Sequence, residues 1–144
     1  AVNHKIDFDI IGISYYSIWH GTSLETLQTA LDSLAAEFPQ QIMVVETAYP
    51  WTLSWNDKTQ NIYGEETQLI KYFPATPRGQ KKYLQALKTM LKNLKNDKGL
   101  GFCYWSPDWI AFKGKNAENG SAWENATIFD FNCRVLPVIE IFGE

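Results

Sequence analysis

The stretch Ile42-Met43-Val44-Val45-Glu46-Thr47-Ala48-Tyr49-Pro50-Trp51 decides the fold class. It opens on a short apolar, β-branched run with no polar alternation, which predicts a strand buried in a parallel sheet. Glu46 is the anomaly. A carboxylate at the end of a buried strand is costly unless it is ion-paired, hydrogen-bonded or used in chemistry. A strand-end salt bridge is the plain account. The aromatic residues that follow tilt the balance toward catalysis.

Working outward, Ile6 to Ser14 also has a nearly continuous apolar centre and predicts a strand covered on both faces. A loop from Tyr15 to Gly21 leads into a helix, with Thr22 and Glu25 at capping-box spacing. Leu24, Leu27, Leu31, Leu34 and Phe38 give that helix one apolar face, and Pro39 ends it. After the central strand, residues 47–76 form a long polar-aromatic connection. Loops longer than about 15 residues are usually functional or disordered, and Trp51, Trp55, Tyr63 and Tyr72 argue against disorder. Thr76-Pro77 opens a second helix, with Tyr83, Leu84, Leu87, Leu91 and Leu94 as its buried stripe. Lys81, Lys82, Lys88, Lys92 and Lys95 read as its solvated face. Leu100 to Trp105 is a third strand, followed by an irregular stretch to Asn125, an extended piece at Ile128–Phe131 and a short closing helix over 135–142. Repeated βα units predict an α/β fold, a parallel sheet with right-handed crossovers, either open or part of a (β/α)8 barrel. Neither GxGxxG nor GxxxxGK[ST] follows a strand, which lowers the case for a nucleotide-binding open sheet.

Composition narrows the function. The 144 residues carry 13 Lys+Arg against 16 Asp+Glu, a net charge of −3 with no basic block, so a nucleic-acid partner is not expected. No apolar run is long enough to span a membrane. The start, Ala1 to Lys5, is neither a signal peptide nor a Met start and suggests a processed or cut chain. Cys103 and Cys133 are too few for a disulfide framework; they pair if the protein is exported or stay free and buried. The 6 Trp, 7 Tyr and 8 Phe are unusual, and they gather after strands: Ser14 to Gly21, Glu46 to Trp51, and Tyr104 to Trp109. In parallel α/β folds ligands meet those strand ends.

The stretches DIIGISYYSIWHGT (9–22), IMVVETAYPWT (42–52), GFCYWSPDWI (101–110) and SAWENATIFDF (121–131) resemble the last three strands of glycoside hydrolase family 53. That family comprises arabinogalactan endo-β-1,4-galactanases, retaining (β/α)8 barrels with catalytic glutamates on strands four and seven. The resemblance implies a partial TIM barrel of about the last three βα units, with residues 1–144 as the C-terminal part of a single barrel domain. It puts the nucleophile on Glu46 and a hydrogen-bond donor to it on Tyr16. Strand alternation groups Ser14 with Tyr16, which favours Tyr16 over Tyr15. Trp105 falls where the floor of the sugar subsite would be, with Trp51, Trp109 and His20 as weaker candidates around the cleft. Galactan or arabinogalactan is the implied substrate, and a secreted, periplasmic or cell-surface location follows from it.

Some positions depart from the family pattern. Ser106 stands where relatives commonly have an acid after Tyr-Trp. No cofactor is expected; a structural calcium would draw on Asn56, Asp57, Asn61 and Glu65, which lack a fixed ligand spacing. The acid/base glutamate should follow an asparagine, and no Asn-Glu pair occurs. A barrel needs about 250 residues, so this chain is expected to be inactive alone and to need the missing N-terminal portion, or a second copy, against its sheet. The rival reading is a carbohydrate-binding module with an aromatic platform and no catalysis.

Overall fold

The computed structural model describes residues 6–143; the Ala1–Lys5 start lies outside them. Three parallel strands lie in sequence order: β1 (Ile10–Ser14), β2 (Gln41–Thr47) and β3 (Gly99–Tyr104). After β1 come a single-turn helix, α1 (Ser17–His20), and α2 (Leu24–Glu37); after β2 comes α3 (Pro77–Lys92). Both longer helices cover one face of the sheet. Leu27, Leu31 and Ala35 of α2 and Tyr83, Leu84, Leu87 and Leu91 of α3 share one apolar core with Ile42 and Val44.

The opposite face is bare. Ile10, Val45, Leu100 and Trp105 are each between 37% and 45% exposed. β1 is therefore covered on one face only, against the two-sided burial its apolar run predicts: Ile11 and Ile13 pack on the core while Ile10, Gly12 and Ser14 are exposed. An apolar run identifies a strand whose second face needs cover, but not whether these residues supply it. Residues on this chain form no strand beyond β1 or β3, so each has an unpaired edge among the described residues.

Two irregularities shape the ladder. On β2, Ile13 faces Val44 but Ser14 faces Glu46, while Val44 and Thr47 face Phe102 and Tyr104. One extra residue thus sits at Val45/Glu46, a bulge of the kind that re-aims side chains. On β3 the register slips between Gly99 and Gly101. Gly99 must lack a side chain, because a Cβ there would lie 1.9 Å from the Leu91 carbonyl oxygen at the end of α3.

The caps are partly as expected. Thr76 accepts from the Gly79 amide, with Pro77 in the first turn. For α2 the cap is Ser23 rather than Thr22: its hydroxyl accepts from Thr26 N–H and donates to Glu25, so Thr22 and Glu25 form no capping box. The short closing helix expected over 135–142 is a 3₁₀ helix at Pro137–Phe142. It docks on α3, where Lys81 pairs with Glu140 and Lys88 donates to the Ile141 carbonyl, so two of the lysines read as solvated serve packing. Cys103 and Cys133 are free, as one reading had it, but exposed rather than buried.

Candidate active site

The C-terminal ends of the strands carry two long irregular segments, 48–76 and 105–136, which are bonded to each other. Trp51 N–H donates to the Asn125 carbonyl, Ile62 N–H to that of Ala122, and Lys58 N–H to that of Ala117. The Asn125 amide donates to the Thr52 and Tyr63 carbonyls, and buried Glu124 accepts from Asn56 N–H. Beneath them Gln80 of α3, fully buried, donates to Tyr49 O, Thr127 O and the Tyr104 hydroxyl. These bonds fix loops that have no regular structure of their own.

At the top of the sheet the β2 bulge delivers Glu46, half-buried, beside β1. The Tyr16 hydroxyl donates to Glu46 Oε2 at 3.0 Å. Tyr16 is 3% exposed, and burial followed by the bond to Glu46 pushes its hydroxyl well above the usual tyrosine range. It is therefore a fixed, protonated donor. Aromatic rings hold it: Trp19 at 5.0 Å edge-on, Trp123 at 5.6 Å, and His20 at 6.3 Å stacked. Trp19 and Trp123 also meet each other edge-on, at 6.1 Å.

Across β2, Trp105 continues the β3 ladder by donating its amide to Thr47 O. Ser106 follows at φ 54°, a left-handed turn that brings Trp109 back to 5.8 Å from Trp105. Both indoles are open to solvent. A pocket lined by Trp109, Phe112, Ser121 and Trp123 adjoins them.

The residues singled out from sequence fall into two groups. Glu46 and Tyr16 are hydrogen-bonded, Ser14 is the register neighbour of Glu46, and Trp105 and Trp109 form a ring pair at the end of β3. Trp51 turns the other way, half-buried with its ring edge-on to Phe131 at 4.6 Å. His20 lies beside Tyr16, and its ring nitrogen accepts the Tyr16 amide. Sequence reasoning missed Trp19 and Trp123, which wall the donor tyrosine. Trp123 lies in an irregular stretch where no periodicity marks it; its place in SAWEN after the third strand was the available signal.

Of the oxygens considered for calcium, Glu65 caps the 3₁₀ turn at Glu66–Gln68 and is exposed, so the four residues do not converge. Buried oxygens without partners do occur between the two loops, on Asp57, Asn61 and Glu124. Among the described residues no group of three or more His, Cys, Asp or Glu gathers as ligands, and no helix is long and apolar enough to cross a membrane.

Comparison with known proteins matches residues 1–142 to the family model described as glycosyl hydrolase family 53. The chain is 42% identical over 129 residues to an arabinogalactan endo-β-1,4-galactanase of Cellvibrio japonicus, covering 89% of this chain and 33% of that protein. It superposes on a solved GH53 catalytic domain of Ignisphaera aggregans with TM-score 0.86 and 37% identity, covering 98% of this chain and 40% of that one. A fungal β-1,4-galactanase structure matches with TM-score 0.69 at 26% identity, over 95% of this chain and 38% of its own. The chain thus spans little more than a third of the length of these relatives.

Proposed function

The chain belongs to glycosyl hydrolase family 53 and is part of a (β/α)8 barrel, and from that premise we propose that it supplies the nucleophile half of a retaining endo-β-1,4-galactanase. The observation that carries this reading is the Tyr16–Glu46 hydrogen bond at the cleft end of β2. In this mechanism Glu46 attacks the anomeric carbon of a galactosyl unit while a second carboxyl group protonates the departing glycosidic oxygen. The product is a galactosyl ester on Glu46, which water then hydrolyses with the second carboxylate as base. A donor on a carboxylate favours its charged form, and Tyr16 gives Oε2 such a donor while leaving Oε1 to the sugar. Trp105 and Trp109 offer faces on which the apolar side of a pyranose stacks.

Retaining hydrolysis needs its two carboxyl groups about 5–5.5 Å apart, and no Asn-Glu pair of the kind that holds the acid/base in this family occurs here. We infer that residues 1–144 alone do not hydrolyse galactan, and that the earlier strands of the barrel, or failing them a second copy, pair with the free edges of β1 and β3. The substrate is a wall polymer too large to enter a cell, which favours an exported protein. The chemistry requires no cofactor. A structural calcium would find fitting donors in Asp57, Asn61 and Glu124, where it would clamp the two loops outside the reaction itself.

The test is a complete barrel carrying these residues. Glu46→Gln should abolish galactan hydrolysis, and an activated 2-deoxy-2-fluoro galactoside should lose its aglycone and leave a fluorogalactosyl ester on the peptide containing Glu46. Normal turnover by the Gln variant sinks the assignment. The exposed indoles Trp19, Trp105 and Trp109 support the second reading, a binding module. Tight galactan binding by the 144-residue chain that survives Glu46→Gln would favour it.

A further inference from the structure

α1 is a helix of one turn whose N-cap is Tyr16, and Tyr16 offers no side-chain cap. The turn is closed from the other end. The backbone N–H of His20 donates to Tyr16 O at 2.9 Å, and the His20 ring returns the bond: its Nδ1 accepts Tyr16 N–H, also at 2.9 Å. Next to it Tyr15 donates its hydroxyl to Gly21 O at 2.8 Å, so the segment from β1 to Gly21 is fastened by two side chains.

This pattern fixes the tautomer. A nitrogen that accepts carries no hydrogen, so the proton of the neutral ring is on Nε2. A second proton on Nδ1 would set two donors face to face and remove the acceptor of the Tyr16 amide. The ring is exposed, so solvent protons reach it. The titratable groups facing it are Tyr15 and Tyr16, whose rings stack on it, and beyond Tyr16 the Glu46 carboxylate. Burial holds both tyrosines protonated, Tyr15 up to about 12. The nearby indoles of Trp19 and Trp123 carry no charge.

We propose that His20 is a positioning residue: its ring pins the Tyr16 backbone through Nδ1, and loss of that acceptor withdraws the Tyr16 hydroxyl from Glu46. The inference rests on Glu46 being the nucleophile. His20 itself need touch neither sugar nor carboxylate.

Two variants of a complete barrel carrying these residues test it. His20→Leu removes the acceptor. His20→Asn keeps an oxygen close to where Nδ1 stands. The Leu variant should lose up to about tenfold in kcat, the effect of one hydrogen bond, with KM within about twofold. The Asn variant should recover most of that loss. In ¹⁵N-labelled protein the Tyr16 amide resonance should move in step with the His20 ring as pH falls. A Leu variant with parental kcat and pH profile overturns the proposal. So does an Asn variant no better than Leu, or a Tyr16 amide that ignores the ring. If Leu prevents folding, the Asn variant and the amide titration decide. Failure of the nucleophile reading would look different, since Glu46→Gln would then remain active.

Discussion

Tyr16→Phe removes one atom at the centre of the site. The phenyl ring keeps its places against Trp19, Trp123 and His20, and the hydroxyl has Glu46 Oε2 as its bonding partner. The lost interaction is a hydrogen bond to a charged group, about 1.5–3 kcal/mol. At about 1.4 kcal/mol per factor of ten in rate, that is roughly a 10- to 150-fold loss in kcat/KM. The fold should scarcely notice, since Phe fills the same volume in the same rotamer. The assay is initial-rate hydrolysis of galactan by a complete barrel carrying the substitution, with thermal melting run beside it. Tyr15→Phe is the control: its hydroxyl serves Gly21 O, so it should weaken the turn more than the chemistry. Activity of Tyr16→Phe within about twofold of the parent would refute the reasoning, because the 3.0 Å bond would then contribute nothing to the nucleophile.

Two predictions concern the scaffold and can be read on the isolated chain. Gln80→Leu leaves the Thr127 carbonyl without its donor inside the core and takes one donor each from Tyr49 O and the Tyr104 hydroxyl; unfolding by urea should show a loss of about 2–4 kcal/mol. The hydroxyls of Tyr15, Tyr16, Tyr49, Tyr63, Tyr83 and Tyr104 are all raised above 10.0, first by burial. The fold thus favours their neutral form: this stability is complete below pH 10 and drains away as pH rises through about 12 for Tyr15 and higher for the rest. In a Tyr72→Phe background, which removes the one exposed tyrosine, absorbance at 295 nm should climb together with the loss of circular dichroism, and ionisation of these six before unfolding would contradict it.

How much of this was legible in the sequence follows from what each signal measures. Ile42 to Val45 shows its strand because a short unbroken apolar, β-branched run marks a strand built for cover, although only its helix side is covered here, and Leu27 or Leu87 shows its helix because burial on one face sets a period. The cap of α2 was misplaced by one residue, since Thr22 and Ser23 are chemically equivalent and only backbone geometry selects between them. Exposure of β1 was invisible because a sequence records which residues want cover and not whether the cover is present. The bond from Tyr16 to Glu46 came from likeness to a family, with alternation choosing Tyr16 over Tyr15. The wall of Trp19 and Trp123 left no periodic signal, because Trp19 sits in a helix of a single turn and Trp123 in a segment held by individual hydrogen bonds rather than by a repeat. His20 was noticed as a loop histidine, yet its partner is an amide, and amides leave no trace in a sequence.

The extra residue in β2 gives the site a particular genetic fragility. Loss of the single codon for Val45 would make the strand regular: Ile42, Val44 and Thr47 would still alternate toward the helices. Hydropathy would hardly change and the sheet could close as before. Glu46 would keep its place opposite Ser14 but lose the bulge that re-aims its side chain toward the Tyr16 hydroxyl. Three nucleotides therefore separate a competent site from a folded but silent one. A lineage could abandon the chemistry while keeping the barrel, and its sequence would still look like that of an enzyme.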